Sequence, residues 1–396
     1  MRHAPEYEDY LFEQWTHGAF DEYWQRLGLH ARGWHGRYAA VPTVHMSSWY
    51  DPYPRTATEN YIGLRDAGRG TPHLILGPWT HGDRSRTAFG EVEFGPNAAL
   101  DSWAGNWREY RRRFFDRHLK GLPGAEEPRV RVFVMGGGSG RRDAAGRLEH
   151  GGRWRTAADW PLPGTRFTPY YLHGDGGLRP DAPPAGGAPL SWTSDPANPV
   201  PTVGGAITSM EPLLSGGGYD QRERPGMFGH KPPYLPLASR PDVLAFQTEP
   251  LPADVEAAGP VVAHLWIASD APDTDITVKL VDVHPPSADY PHGFALNLCE
   301  GILRCRYRED RAAPRMLEPG VPVAVTVELF PTANLFRAGH RIRLDVAASE
   351  FPHYDLNPQT GEAEGGWRRM QAAVNTVFLD ADRPSHVVLP LLGEAG

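Results

Sequence analysis

The chain has 396 residues, 40% hydrophobic and 22% charged, with a formal net charge of −8. Such a composition supplies a sizeable core and excludes a globally disordered chain, and the length predicts two or three domains. The acidic balance gives no support to nucleic-acid or anionic-membrane partners, both of which select basic surfaces.

In chain order, Met1–Tyr10 is polar and acidic and has no apolar h-region, so no signal peptide is read there. No run reaches the roughly 18 apolar residues that a membrane span needs, and a cytoplasmic location is expected. Tyr10, Leu11, Trp15, Phe20, Tyr23, Trp24 and Leu27 recur at helical steps. They predict either a packed helical hairpin or a cap that lines a substrate pocket. Val41–Met46 reads as a buried strand that ends in the polar loop Ser47-Ser48-Trp49-Tyr50-Asp51-Pro52. Thr56–Asp66 has helical spacing. His73–Leu76 reads as a second buried strand, ended by Gly77-Pro78-Trp79-Thr80-His81-Gly82, and Ala99–Leu119 as another amphipathic helix. Strand, helix, strand, helix predicts parallel α/β structure. The basic run Arg111-Arg112-Arg113 reads as a solvated helix face rather than an anion patch.

After Lys120-Gly121-Leu122-Pro123-Gly124 the pattern changes. Arg129–Val134, Val261–Ile267, Ile276–Val283, Val323–Leu329 and Ile342–Ala347 alternate as short strands between Gly, Pro, Asp and Asn. That predicts a β-sandwich or jelly roll over residues 128–396, behind an α/β part over residues 1–127. Residues 136–155 and 174–190 read as exposed loops. Cys299 and Cys305 read as buried small hydrophobes, without metal spacing and too extended to pair.

Asp51 and His81 both fall just past the carboxyl ends of successive predicted parallel strands, where α/β sheets hold their ligand-binding groups. A carboxylate beside an imidazole fixes its tautomer and stabilises its protonated form, as a serine hydrolase requires. The order acid, then base, is the one α/β-hydrolases use after an earlier serine. Taken alone, an Asp in a turn and a His after Gly-Pro-Trp-Thr are more often structural.

Trp49-Tyr50-Asp51 followed by Gly77-Pro78-Trp79-Thr80-His81 resembles the acid and base loops of the cocaine-esterase and X-prolyl dipeptidyl-peptidase type of hydrolase (CocE/NonD). The resemblance continues through Phe20-Asp21-Glu22-Tyr23-Trp24, Phe114–Gly121, Val130–Gly136, Asp273–Val283, Gly339–Arg343 and Pro384–Pro390. It implies a partial α/β-hydrolase domain with a helical cap remnant, followed by a jelly roll, with Asp51 as triad acid and His81 as general base. Tyr53 would lie near the acyl pocket, and segment 204–216 would reach toward the site from the β-domain. Ser48 stands where the family often has glycine, a departure in the turn that sets Asp51. The implied reaction is hydrolysis of a small-molecule ester, an amide or an X-prolyl peptide bond through an acyl-enzyme, with no metal or organic cofactor.

No serine has glycine at both −2 and +2, the elbow Gly-x-Ser-x-Gly. Ser139 comes nearest, with Gly137 before it but Arg141 after it; Ser47 and Ser48 read as structural. Two strands before the β-rich part are too few for a hydrolase sheet. Met1 therefore reads as an internal start, in a truncated or mis-started gene or a split protein. Such a chain would hydrolyse little alone and would expose apolar edges that favour a separate N-terminal half, self-association or aggregation. His-Glu-x-x-His, P-loop and dinucleotide motifs are absent from the sequence. The competing expectation is a non-catalytic β-sandwich that binds carbohydrate or a partner protein.

Overall fold

A computed structural model describes residues 3–208 and 211–393. The longer helices are α1 (Pro5–Thr16), α2 (Pro54–Asp66) and α3 (Trp107–Lys120). The principal strands are β1 (Thr43–Tyr50), β2 (Pro72–Thr80), β3 (Val130–Gly136), β4 (Leu190–Ser194), β5 (Leu244–Gln247), β6 (Val255–Gly259) and β7 (Val262–Ser269). They continue with β8 (Asp275–His284), β9 (Phe294–Arg304), β10 (Thr332–Phe336), β11 (Arg341–Ala347), β12 (Ala373–Val377) and β13 (His386–Leu392).

One long sheet runs β1-β2-β3-β10-β6-β13-β7-β12-β4, and a second runs β5-β11-β8-β9. β1, β2, β3 and β10 are mutually parallel in sequence along the sheet, and the pairs beyond β10 are antiparallel. The parallel α/β layer therefore runs by hydrogen bonding into the sandwich, with β3 joining the two. The apolar core is continuous as well, from Trp49 and Leu74 to Leu298 and Leu344. No described helix is long and apolar enough to cross a membrane.

Several local expectations change. β1 runs on through Ser47–Tyr50 and β2 through Gly77–Thr80, segments that read as polar loops. Both stretches are buried and paired, Ser47 to Leu76 and Ser48 to Gly77, so tertiary burial overrides the turn-forming character of Ser, Gly and Pro. The helix expected over Ala99–Leu119 is broken by Gly105 at φ +79° into Asp101–Ala104 and α3. Within residues 136–155, Leu148–Glu149 and Gly152–Ala157 are strands, not loop. The packed hairpin expected near the N-terminus is not formed. α1 buries no residue and leaves Tyr7, Tyr10, Phe12 and Trp15 exposed. Arg112 pairs within its own helix with Glu109 and Asp116, as a solvated face should. Cys299 and Cys305 are free and buried, and burial pushes both thiols well above their usual range.

α2 packs on β1 and β2 through Ala57, Thr58, Tyr61 and Leu64. Its Gly63 lets the His35 ring lie directly against the helix, where a Cβ would be 1.8 Å from Nδ1. His45, in β1, is drawn down to about 4, mainly by burial and then by neighbouring His35. Unfolded, the same ring titrates near 6.5, so stability from the neutral ring is complete above that pH and falls as pH drops toward 4. His45→Gln should therefore flatten the decline of the urea midpoint across that window. An unchanged slope would show that His45 is not the group that titrates.

Candidate active site

β1 and β2 are parallel and adjacent, so their carboxyl ends bring Asp51 and His81 to one rim. The register passes from Ser48↔Gly77 to Tyr50↔Thr80, which leaves Pro78 and Trp79 opposite the single residue Trp49. This bulge accommodates a proline, which cannot donate to the ladder, and re-aims the following residues. Trp79 folds back over Gly77, where an added Cβ would come within 2.5 Å of the indole ring. The Trp79 Nε1–H donates to the Ala98 carbonyl at 2.8 Å and the Trp49 Nε1–H to the Phe133 carbonyl at 2.7 Å. The Tyr50 hydroxyl donates to the Asn297 carbonyl at 3.0 Å, which ties the rim to β9 of the second sheet. Because the buried Trp79 ring cannot swing away, Gly77→Ala should cost about 1–3 kcal/mol in urea unfolding, as overpacking does. A variant as stable as the wild type would show that the ring does not fix this turn.

Each oxygen of the Asp51 carboxylate has a partner. Oδ1 accepts the Tyr53 backbone N–H at 2.9 Å, a side-chain turn that orients the group. Oδ2 lies 3.0 Å from His81 Nδ1. The Asp51 side chain is 8% exposed and that of His81 50%. An ionised carboxylate only accepts, so Nδ1 carries the proton and the Nε2 lone pair is left free. Among the described residues no hydrogen bond joins His81 Nε2 to a serine. Tyr53 stands edge-on to His81, with ring centroids 5.3 Å apart at 73°, and is half exposed.

A cleft of about 390 Å³ opens at His81, with Arg86, Phe89, Ile207, Glu211 and Tyr219 in its walls. Residues 204–208 and 211–218 build the far wall. Gly205 bridges Gly217, and Gly218 bridges Gly90. A Cβ at Gly218 would meet the Tyr50 hydroxyl at 3.0 Å, so the backbone lies hard against the strand ends. The buried Glu300 carboxylate accepts the Ala206 N–H at 2.9 Å and anchors this wall from β9. Sequence reasoning took segment 204–216 toward the site but named none of these wall residues. The run Gly216-Gly217-Gly218 was the available signal of close backbone approach. Ser215 also reaches the cleft, where Tyr219 is among the lining residues. Ser139 is exposed and bonds Glu149, and Ser47 is buried without a partner. A second cleft, of about 490 Å³, lies among Thr71, His73, His118 and Arg129, at the amino ends of the strands. It is the wrong rim for the ligand site of a parallel sheet.

Residues 123–388 match the X-Pro dipeptidyl-peptidase C-terminal non-catalytic domain, and residues 2–83 match the X-Pro dipeptidyl-peptidase S15 family. The chain is 35% identical over 390 residues to the cocaine esterase of Rhodococcus sp. (strain MB1 Bresler), covering 94% of this chain and 59% of that protein. A solved aminopeptidase from a marine sediment archaeon, Thaumarchaeota archaeon, superposes with a TM-score of 0.80 at 27% identity, covering 99% of this chain and 61% of that one. An α-amino acid ester hydrolase superposes with a TM-score of 0.78 at 28% identity, over 98% of this chain and 61% of that one. The chain thus spans about three fifths of the length of these relatives, 59% to 61%. With both parts of the fold matched in order, the chain belongs to the cocaine-esterase and X-prolyl dipeptidyl-peptidase type of serine hydrolase family.

Proposed function

We propose that Asp51 and His81 are the acid and general base of a serine-hydrolase triad that cleaves an ester, amide or X-prolyl peptide bond through an acyl-enzyme. The observation that carries this is the Asp51 carboxylate, buried and oriented, 3.0 Å from Nδ1 of a half-exposed imidazole at the carboxyl rim of parallel strands. A surface ion pair needs no such burial of one partner.

In the reaction, a serine hydroxyl would give its proton to His81 Nε2 as its oxygen bonds to the substrate carbonyl carbon. The imidazolium, held by Asp51, would then pass that proton to the leaving oxygen or nitrogen as the scissile bond breaks. Water, deprotonated by the same ring, would release the acyl group and return the serine. Tyr53, edge-on to His81, would flank the acyl group.

The sequence holds no Gly-x-Ser-x-Gly elbow. We assign the nucleophile to a segment outside these 396 residues, and these residues alone should hydrolyse little. That segment is the partner we assign to the β1 edge. β1 ends the long sheet, and the chain leading to it exposes Leu27, Leu29, Tyr38 and Val41. A monodisperse monomer in sedimentation, with no affinity for a nucleophile-bearing segment, would count against that assignment.

A fluorophosphonate probe tests the nucleophile. The isolated chain should stay unlabelled while a chain joined to a Gly-x-Ser-x-Gly segment is labelled on that serine. Strong labelling of the isolated chain, mapped to Ser215 or another of its own serines, would overturn the assignment.

A further inference from the structure

Away from the cleft, His150, Asp282 and His284 come together in the interior, each offering a ligand atom within 4.8 Å of the others. All three are buried, and Asp282 is wholly so. Two of the imidazole nitrogens, His150 Nδ1 and His284 Nε2, are buried with no hydrogen-bond partner. An unpartnered buried polar atom is costly, and two converging on one carboxylate call for a ligand.

The surrounding bonds prepare two of the three groups, His150 and Asp282. The Asn334 carbonyl Oδ1 lies 2.9 Å from His150 Nε2, and its amide donates to Asp282 Oδ2 at 3.0 Å. The Asn334 amide thereby puts the His150 proton on Nε2 and leaves the Nδ1 lone pair free. His340 Nδ1 lies 2.8 Å from Asp282 Oδ1 and holds the other oxygen. Outer partners that fix the tautomer of one ligand and the orientation of another are what metal centres use.

We propose that His150 Nδ1, Asp282 Oδ2 and His284 Nε2 form a structural site for a divalent transition ion of the Zn²⁺ class. Two imidazoles and a carboxylate suit that class, whereas Mg²⁺ and Ca²⁺ select oxygen donors. With bonds of about 2.0–2.2 Å, closing on an ion would draw the ligand atoms together by roughly 1 Å. The site joins parts of the chain that are far apart in sequence. Asp282 and His284 lie in β8, and Asn334 lies in β10. His150 also donates its backbone N–H to the Glu93 carbonyl at 3.0 Å, next to the Phe89–Gly90 wall of the cleft. An ion there would fasten that wall to the sandwich. The glycine loop 136–140 closes over the cluster. The Gly138 N–H donates to the His150 carbonyl at 2.7 Å, and a Cβ on Gly138 would collide with that carbonyl.

The test uses the whole chain, stripped with a chelator and titrated with Co²⁺ and then Zn²⁺. The expected result is a single tight equivalent, an intense visible Co²⁺ spectrum of low-coordinate nitrogen–oxygen ligation that Zn²⁺ abolishes, and a raised Tm. His284→Gln should remove the tight equivalent, and Asn334→Ala should weaken it by about 10–100-fold, as loss of an outer partner does. His264 and His386, with ring centroids 5.1 Å apart on the sandwich surface, are the alternative site for adventitious metal. The double variant His264→Gln/His386→Gln should bind as the wild type does. No tight Co²⁺ or Zn²⁺ equivalent on the wild-type chain would overturn the proposal, as would binding that survives His284→Gln and disappears in the surface double variant. The wild-type titration decides the matter even where a core variant fails to fold.

Discussion

Asp51→Asn should lower the esterase activity of this chain joined to a nucleophile-bearing segment by about 10⁴-fold without unfolding it. The carboxylate at position 51 can only accept, so it holds the His81 proton on Nδ1 and leaves Nε2 free. An amide in its place can turn its NH₂ toward Nδ1, which puts the proton on Nε2, and a protonated Nε2 cannot take the proton of a serine. The shape and burial of the site hardly change, because the Tyr53 N–H can still bond the remaining oxygen. His81→Ala should cost a similar factor, and the double variant should be little worse than either single one, because the two residues act as a unit. Nitrogen NMR of the isolated chain gives a readout without activity. His81 should be the Nδ1–H tautomer in the wild type and shift toward Nε2–H in Asp51→Asn. Wild-type turnover together with an unchanged tautomer would remove the chemical basis for the proposed triad.

The strand ends at Asp51 and His81 could be found from the sequence because two short apolar runs separated by one helix permit little but adjacent parallel strands. The structure brings those residues to one rim as the pattern implied. The segments that became β7, β8, β11 and the strand Val323–Glu328 were legible as short apolar runs between turn residues, although period-two burial holds only along β7 and Val323–Glu328. Four things were not legible. The strand continuation through Ser47–Tyr50 and Gly77–Thr80 depends on burial between layers, which local propensity opposes. The wall made by Gly205, Gly217 and Gly218 depends on glycine backbone packed against strand ends more than a hundred residues away in sequence, a contact with no periodicity. The helical spacing of Tyr10, Leu11 and Trp15 correctly marked a helix but not what covers its apolar face. His150, the Asp282/His284 pair on β8 and Asn334 lie on three separate parts of the chain, so no ligand-spacing motif joins them.

The largest stability effect is expected in the sandwich. Asp273→Ala should lower unfolding free energy by about 3–5 kcal/mol and Tm by roughly 10 °C. Asp273 is fully buried and Arg306 nearly so. Oδ1 accepts the Arg306 backbone N–H at 2.9 Å and Oδ2 its Nε–H at 2.8 Å, while Asn357 donates to Oδ2 at 2.8 Å. Removing the carboxylate therefore strands a buried guanidinium edge and a backbone N–H at once, while the Asn357 amide keeps its bond to Asp275 Oδ1 at 2.8 Å. The remaining anion near Arg306, Glu364 at 3.3 Å, lies on a loop and holds the other end of the guanidinium. Neighbouring Asp275 cannot take over, since its oxygens are bonded by Arg304 at 3.0 and 3.1 Å and burial already pushes its carboxyl up to about 6. The cost arises from the unpaired charge rather than from a strong net attraction in the pair, because desolvating both ions offsets much of their attraction. Asp273→Ala combined with Arg306→Met should consequently recover a large part of the loss, and the double-mutant cycle should show coupling well above that of a surface pair. If the double variant is as unstable as the sum of the two single ones, the bridge acts through packing alone, and the charge argument fails.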